Sequence, residues 1–484
     1  MNLERIKSVV LVGLVASSMA LTFQLFAIEP QKVIDATEQI EISDKIDDKI
    51  KDLISPKRIV VNYSEQNHRV FYSDFGVDLW KNTRDLFQNS FFNKEFQIKE
   101  LDIDSYVDML SKKSIVYNFG TEIPIDIFFK MNNDDVSEEF KNSIDYIDTI
   151  YIDLASEKTM ILKNGEKMIQ VPIAVASLEP LVEMVDQIKE KDNIKYGTGK
   201  LISASPEVLV PINLEETKTT IYVSNDIEVD RIGKIESIVE AFFGDVETAR
   251  KIEENDGSLI YMYDKKGLVF TDDGVLKYFD EIEAPVDERS LYRSLASYAN
   301  FLSLYDYSPA YDKRADMYLA DIEPIESGDN KGYRLSFNYR INQKDVILDE
   351  NFSDELKRPI EVEVYNDYIK SYKRYYRRTA SVDSLGSFSF SIDYIMAPLD
   401  VINQNLEPIR NGYRIDNDLS LEAMKSIENQ KILSTITSIE SAYYDYCEQD
   451  SQAKLVEIWM IDFGKRRYIF NAYSGELIKT YRKE

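Results

Sequence analysis

The sequence predicts an α+β protein: an N-terminal transmembrane helix, then antiparallel β-meanders with helices packed against one face. Three observations predict it. An uncharged run of 21 residues, Ser8 to Ile28, lies close to the N-terminus. Beyond it, short segments rich in β-branched and aromatic residues are separated by tight-turn pairs such as Asn164-Gly165, Lys266-Gly267 and Asp273-Gly274. Amphipathic helical segments precede groups of these strands, as in Ile232–Phe243, with Ile235, Ile238, Val239, Phe242 and Phe243 before Gly244.

Residues 1–7 carry Arg5 and Lys7 against Glu4 and read as a cytoplasmic stub. A helix over residues 8–28 is about 31 Å long, enough for a hydrocarbon core of ~30 Å. The flanking cations orient it with the N-terminus cytoplasmic and the bulk of the chain extracytoplasmic, a single-pass protein of the cell membrane. A cleaved signal peptide is the rival reading, through Ser18-Met19-Ala20, but the apolar run continues for eight residues past that site. Gly13, Ala16, Ser17 and Ala20 recur at helical spacing and allow close backbone approach. They are the expected helix–helix interface in the membrane.

Residues 29–56 read as a charged, partly helical stalk ended by Pro56. The region 57–205 opens with a hairpin, Arg58–Tyr63 and Arg69–Ser73 around Ser64–Asn67. A helix is expected near Leu79, Phe87, Phe91 and Phe92. Strand pairs follow at Ser114–Phe119 with Ile123–Phe129, and at Tyr146–Asp153 with Lys158–Lys163. Leu178–Lys191 reads as a helix, and the breaker-rich stretch from Tyr196 to Pro211 as a domain boundary. Region 210–310 then reads as the helix Ile232–Phe243 and a meander of Thr248–Glu253, Leu259–Tyr263, Leu268–Thr271 and Val275–Phe279. The order recurs from the helix Arg289–Tyr305 into region 311–484. Strands are expected there at Met317–Pro324, Tyr333–Ile341, Ile360–Tyr365 and Tyr368–Arg378. A short helix, Ile395–Asn405, precedes Ile432–Tyr446, Lys454–Asp462 and Arg467–Asn471.

Composition removes much chemistry. The 484 residues carry 58 Lys and Arg against 86 Asp and Glu, a net charge of −28, which disfavours nucleic acid as a partner. One cysteine, Cys447, and one histidine, His68, exclude an intrachain disulfide framework and cysteine-rich zinc sites. His68 sits at the expected hairpin turn, where an imidazole is normally solvated. Asp445 and Asp450 beside Cys447 should raise its thiol pKa, against a nucleophilic role. Asp102, Asp104 and Asp108, and Asn132 through Asp135, lack the glycine and terminal glutamate of a calcium loop. Gly197-Thr198-Gly199-Lys200 lacks phosphate-loop spacing. No catalytic residue, metal site or cofactor is expected.

The least expected segment is Tyr368–Arg378, where Lys370, Lys373, Arg374, Arg377 and Arg378 interleave with tyrosines, Tyr375 among them, in an acidic chain. It is a possible contact surface for an acidic partner or an anionic polymer, or else a solvated strand face paired with acidic neighbours.

Several ordered strings carry a resemblance. Arg5-Ile6-Lys7-Ser8 leads into the anchor and Leu21-Thr22-Phe23-Gln24-Leu25-Phe26 leads out; later come Phe242-Phe243-Gly244-Asp245, Ala249-Arg250, Leu268-Val269-Phe270, Leu276-Lys277-Tyr278 and Asn411-Gly412-Tyr413 with Trp459. The chain thereby resembles the YycH family, membrane-anchored regulators of the WalK/WalR (YycG/YycF) two-component system in Gram-positive bacteria. Phe23 and Phe26 stand where tryptophan is expected in that family. The tail Asn471-Ala472-Tyr473-Ser474-Gly475-Glu476 resembles the closing turn of a PepSY-type unit. The resemblance implies three extracytoplasmic domains, the last two of similar topology and akin to YycI. It also implies a non-enzymatic role in cell-wall homeostasis, exercised by complex formation with a YycI-like membrane protein and a WalK-like sensor histidine kinase, as a homo- or hetero-dimer. The rivals are an envelope hydrolase using two carboxylates and a PepSY-like inhibitor or ligand-binding module of the cell wall.

Overall fold

The computed structural model describes residues 47–483 apart from 75, 87–97, 131–137, 156–158, 166, 174–176, 191–193, 213, 215–220, 306–315, 353–355, 380–393 and 450–452. The chain divides into two units, Met1–Asp47 and Asp48–Glu484. The expected stub, the anchor 8–28 with Gly13, Ala16, Ser17 and Ala20, and most of the stalk lie outside the described residues, as do Phe87, Phe91, Phe92 and Asn132–Asp135. Among the described residues no helix is long and apolar enough to cross a membrane.

In the second unit the hairpin β1 (Arg58–Ser64) and β2 (Asn67–Phe71) opens the fold, and α1 (Leu79–Leu86) buries Leu79 and Trp80. Then come β3 (Lys99–Glu100), α2 (Ile103–Met109), β4 (Ser114–Pro124), α3 (Ile125–Lys130) and α4 (Glu138–Ser143). The meander β5 (Tyr146–Asp153), β6 (Thr159–Asn164), β7 (Lys167–Pro172) leads to α5 (Glu179–Glu190), β8 (Tyr196–Thr198) and β9 (Leu209–Pro211). These strands form one nine-stranded sheet in the order β3-β7-β6-β5-β4-β1-β2-β8-β9. The strand pair expected over Ser114–Phe129 is instead one long strand followed by a helix. Ile125, Ile127, Phe128 and Phe129 are all buried, and a continuous apolar run has no period to separate helix from strand.

Beyond β10 (Ile221–Asn225), α6 (Ile232–Phe243) precedes the meander β11 (Arg250–Glu253), β12 (Leu259–Tyr263), β13 (Lys266–Phe270), β14 (Leu276–Phe279). A second helix-plus-meander follows: α7 (Leu291–Tyr305), β15 (Asp316–Ser327), β16 (Asn330–Ile341), β17 (Lys344–Leu348), β18 (Ile360–Tyr365), β19 (Tyr368–Arg374), and then the short β20 (Arg377–Thr379). The two meanders share a sheet, because β14 pairs antiparallel with β19 through Leu276–Arg374 and Tyr278–Tyr372. Helices α6 and α7 lie on one face of it. The Phe301 ring meets Phe242 at 5.7 Å and Tyr372 at 5.1 Å, and the Tyr298 ring meets Phe337 at 5.0 Å. Asn342 and Gln343 both adopt positive φ, 48° and 65°, the backbone of the two-residue turn that folds β17 back on β16.

The last part contains α8 (Pro398–Gln404), α9 (Leu406–Asp416), α10 (Leu421–Lys425) and α11 (Asn429–Leu433), then β21 (Ile436–Asp445), β22 (Lys454–Phe463), β23 (Arg466–Asn471) and β24 (Leu477–Arg482). Where one short helix was expected there are four, and the first four residues of the strand expected from Ile432 precede β21 and include the end of α11. Strand β17 joins β21 in parallel, through Val346–Tyr443 and Ile347–Tyr444, so the larger, fifteen-stranded sheet is mixed rather than wholly antiparallel. The stretch between β8 and β9 is no linker. Ile202, Val208 and Val210 pack with Val401, Ile409, Trp459 and Phe470 in one buried cluster. The architecture is mixed α+β.

Candidate functional site

Two buried charge networks organise the second unit. The first involves the cationic segment. Strand β19 ends at Arg374 and the chain re-pairs as β20, with Arg377 opposite Asn225 of β10. Arg374, Tyr375 and Arg377 are buried rather than displayed on a solvated strand. The Arg377 guanidinium donates to both oxygens of Asp445, from Nε at 2.8 Å and Nη2 at 3.2 Å, and also to Asn225 Oδ1 and the Glu448 carbonyl. Asp226 accepts from Arg374 Nη2 at 3.2 Å, Arg378 Nε at 2.7 Å and Lys234 Nζ at 3.0 Å. Burial pushes the Asp226 pKa up, but the charges of Arg374, Lys234 and Arg378 outweigh it and hold the carboxyl below its ordinary value. The expected contact surface is therefore corrected in part. A strand that crosses a fold interior carries its cations inward when carboxylates wait there, as Arg374 and Arg377 do, while Lys370, Lys373 and Arg378 are half-buried. Lys370 Nζ donates to Ser327 Oγ at 2.8 Å.

The second network joins the two sheets. Arg340, buried on β16, donates to Asp345 Oδ1 at 3.2 Å, to Asp316 Oδ1 at 2.9 Å, and to the carbonyls of Pro56 and Lys57 at 3.1 and 2.9 Å. It lies 4.3 Å over the Tyr318 ring, whose hydroxyl donates to Asp345 Oδ2 at 2.6 Å. Lys57 Nζ reaches Glu440 Oε2 at 2.7 Å. Burial pushes the Glu440 carboxyl up, yet Lys57 and Arg58 pull it down to about 2. Asp345 goes the other way: burial outweighs Arg340 and raises it. Strand β4 closes on β15 at Gly120, where a Cβ would sit 2.7 Å from the Leu319 carbonyl oxygen and from the Tyr318 ring.

The two residue types that composition singled out are both interior. His68 is 1 % exposed, in β2 rather than in a solvated turn, because β2 begins at Asn67 and pairs with both β1 and β8. Burial holds its pKa below the ordinary value against the pull of the Glu65 carbonyl. Cys447 is buried with φ 57°, and burial, reinforced by Asp445, pushes its thiol up to about 12. Asp102 caps α2, accepting from Ser105 N at 2.8 Å, and Lys200 pairs with Glu65 at 2.7 Å. Among the described residues no group of three or more His, Cys, Asp or Glu is placed to hold a metal ion. The hub residues Arg340 and Asp226 went unnoticed in the sequence, where lone charges in alternating strands look like surface positions.

No curated protein matches the chain. Among solved structures, YycH from Bacillus subtilis aligns over 89 % of this chain and 96 % of its own, at 16 % identity and TM-score 0.49. An uncharacterized protein from Eubacterium rectale aligns over 57 % and 90 %, at 11 % identity and TM-score 0.33. The YpeB C-terminal domain of Bacillus megaterium aligns over 52 % and 97 %, at 10 % identity and TM-score 0.24. The family model described as YycH protein, N-terminal domain, matches residues 4–190. Over those residues, fewer than half of the chain, the sequence is similar to the YycH family.

Proposed function

We propose that this chain is a single-pass, extracytoplasmic accessory protein that regulates a WalK-like sensor histidine kinase by binding it together with a YycI-like membrane protein. The observation that carries the reading is the family match, which begins at residue 4, runs across the apolar segment Ser8–Ile28 and continues to the end of α5. Such a helix confines the body to the plane of its targets and raises their effective concentration, so each contact is weak by itself. Regulation is then a population shift: the complex binds one kinase conformation better than another.

The role is one of binding rather than catalysis. The buried carboxylates of Asp226, Asp345, Glu440 and Asp445 all accept from cations of the same chain. In the membrane, Gly13, Ala16, Ser17 and Ala20 form the helix contact; outside it, Lys370 and Lys373 contribute to the partner face. The regions 57–205, 210–310 and 311–484 are joined to one another, the first to the third by the Arg340 bond to Lys57 and the second to the third by the β14–β19 ladder. Co-purification of the full chain from native membranes tests the reading. The kinase and the YycI-like protein are expected to co-elute, and their absence while the anchor is intact overturns it.

A further inference from the structure

Four buried polar residues stand in one row across the first sheet. Asn62 of β1 pairs with His68 of β2 on one side and with Ser114 of β4 on the other, and Ser114 pairs with Asp153 of β5. Each is no more than 1 % exposed. The row borders the apolar cluster of Val60, Val116 and Tyr151 on the face that carries α2.

The donors and acceptors in this row dictate protonation. His68 Nε2 lies 3.0 Å from the Glu65 carbonyl, which can only accept, so Nε2 carries a proton. His68 Nδ1 lies 2.7 Å from Asn62 Oδ1. The Asn62 amide donates to Ser114 Oγ at 2.9 Å, and that hydroxyl donates to the Lys112 carbonyl at 3.1 Å. With this polarity Nδ1 must also carry a proton, and the ring is an imidazolium. A second arrangement serves the neutral ring: the amide turns over, its NH2 donates to Nδ1, and its oxygen accepts the Ser114 hydroxyl. The Lys112 carbonyl then loses its hydroxyl partner. Both arrangements satisfy the ring, and they differ in what reaches the turn after α2, where Met109 O also accepts from Tyr151 at 2.9 Å. At the far end of the row, Asp153 Oδ2 is buried with no hydrogen-bond partner among the described residues, while Oδ1 accepts from Ala155 N at 2.7 Å.

We propose that His68, Asn62 and Ser114 form a proton-operated hydrogen-bond relay that couples the acidity of the medium to the turn joining α2 and β4. The surrounding charges are largely engaged elsewhere. Glu65 of the hairpin turn pairs with Lys200, Lys113 with Asp186 of α5, and Lys163 of β6 with Glu207. Arg69 on β2 donates to Asn67 Oδ1 and to the His68 carbonyl, and Asp102 caps α2, which also bears Asp104 and Asp108. The tyrosines beside the row are Tyr196, across from His68, Tyr106, and Tyr151, whose hydroxyl is also in hydrogen-bond reach of the Ser114 side chain. Because burial disfavours the charged ring, the proton is taken up on the acid side of an ordinary histidine.

The chain has one histidine, so nitrogen NMR of the full chain, labelled with 15N-histidine and held in lipid nanodiscs, reads this site alone. The neutral ring is expected as the Nε2–H tautomer, and both nitrogens become protonated on acidification. Ser114→Ala is expected to lower the titration midpoint by roughly half to one pH unit, because the hydroxyl gives the charged form one more hydrogen bond. Ser114→Thr, which keeps the hydroxyl, restores the midpoint. An Nδ1–H tautomer in the neutral wild-type ring overturns the relay, and that measurement needs no variant to fold. An unmoved midpoint in folded Ser114→Ala overturns it equally. Neither readout depends on kinase binding, so the relay and the regulatory role fail separately.

Discussion

At the scale of single residues, burial divides the charges into two kinds. Arg377 is enclosed, and its removal leaves Asp445 without its cation in a low-dielectric interior. Arg377→Ala is expected to cost about 3–5 kcal/mol in urea unfolding. Lys373→Ala, half-buried on β19, stays within about 0.5 kcal/mol. Equal effects of the two would show that the cluster is surface after all. Glu440 contributes to the acid dependence, alongside Asp226 and Asp462, which are also held below their ordinary values. Its folded pKa, about 2, lies below the ordinary glutamate value of 4.5, so its stabilisation is complete above 4.5 and is lost as pH falls toward 2. Lys57 drives that shift, and the contribution is up to about 3 kcal/mol. Glu440→Gln should flatten the fall in stability across that window; an unchanged slope there would assign acid unfolding to other groups. Asp345, raised by burial, has the opposite sign and gains stability on protonation.

At the scale of elements, the contact of β4 with β15 depends on a missing side chain. Gly120 lets the Leu319 carbonyl and the Tyr318 ring approach, and the Arg340 network sits beside that approach. Gly120→Ala places a methyl against backbone, which cannot give way as a flexible side chain does. A loss of roughly 1–3 kcal/mol is expected in thermal or urea unfolding. A neutral Gly120→Ala would mean that the two strands stand further apart than described. Elements with a clear period or turn were legible: the β1–β2 hairpin, α6 and the meander β11–β14 follow from alternation and from Gly-containing turns. Strand β17 and helices α9 to α11 were not. Lys344–Leu348 is too short to signal by itself and is ordered by pairing with β16 and β21. The helices from Leu406 to Leu433 are short, rich in Asn, Glu and Arg, and held by burying Ile409, Met424 and Ile432 in a shared core.

At the scale of the whole molecule, the proposed regulator works only if its body stays beside its target. A soluble ectodomain lacking residues 1–28 is expected to fold, as judged by circular dichroism and cooperative melting. It should leave kinase output unchanged in cells, read by a reporter of the response regulator. Restoration of regulation by the freely diffusing ectodomain would favour an inhibitor or ligand-binding module instead. The hydrogen bonds from Arg340 to the Pro56 and Lys57 carbonyls and the Lys57–Glu440 ion pair place the start of the body against its last sheet.

Local chemistry in the sequence determined the apolar 21-residue run and its flanking charges, the hairpins, the helix-before-meander order and the scarcity of cysteine and histidine. These depend on neighbours a few positions apart, where spacing alone sets which face is apolar. Tertiary structure decided that His68 is interior, that three arginines of Tyr368–Arg378 answer Asp226 and Asp445, and that β17 bridges two meanders, antiparallel to β16 and parallel to β21. The partners of those residues lie far away in the chain, Arg374 from Asp226 by 148 positions. A charge pattern read along the chain cannot reveal a carboxylate that only folding brings beside it.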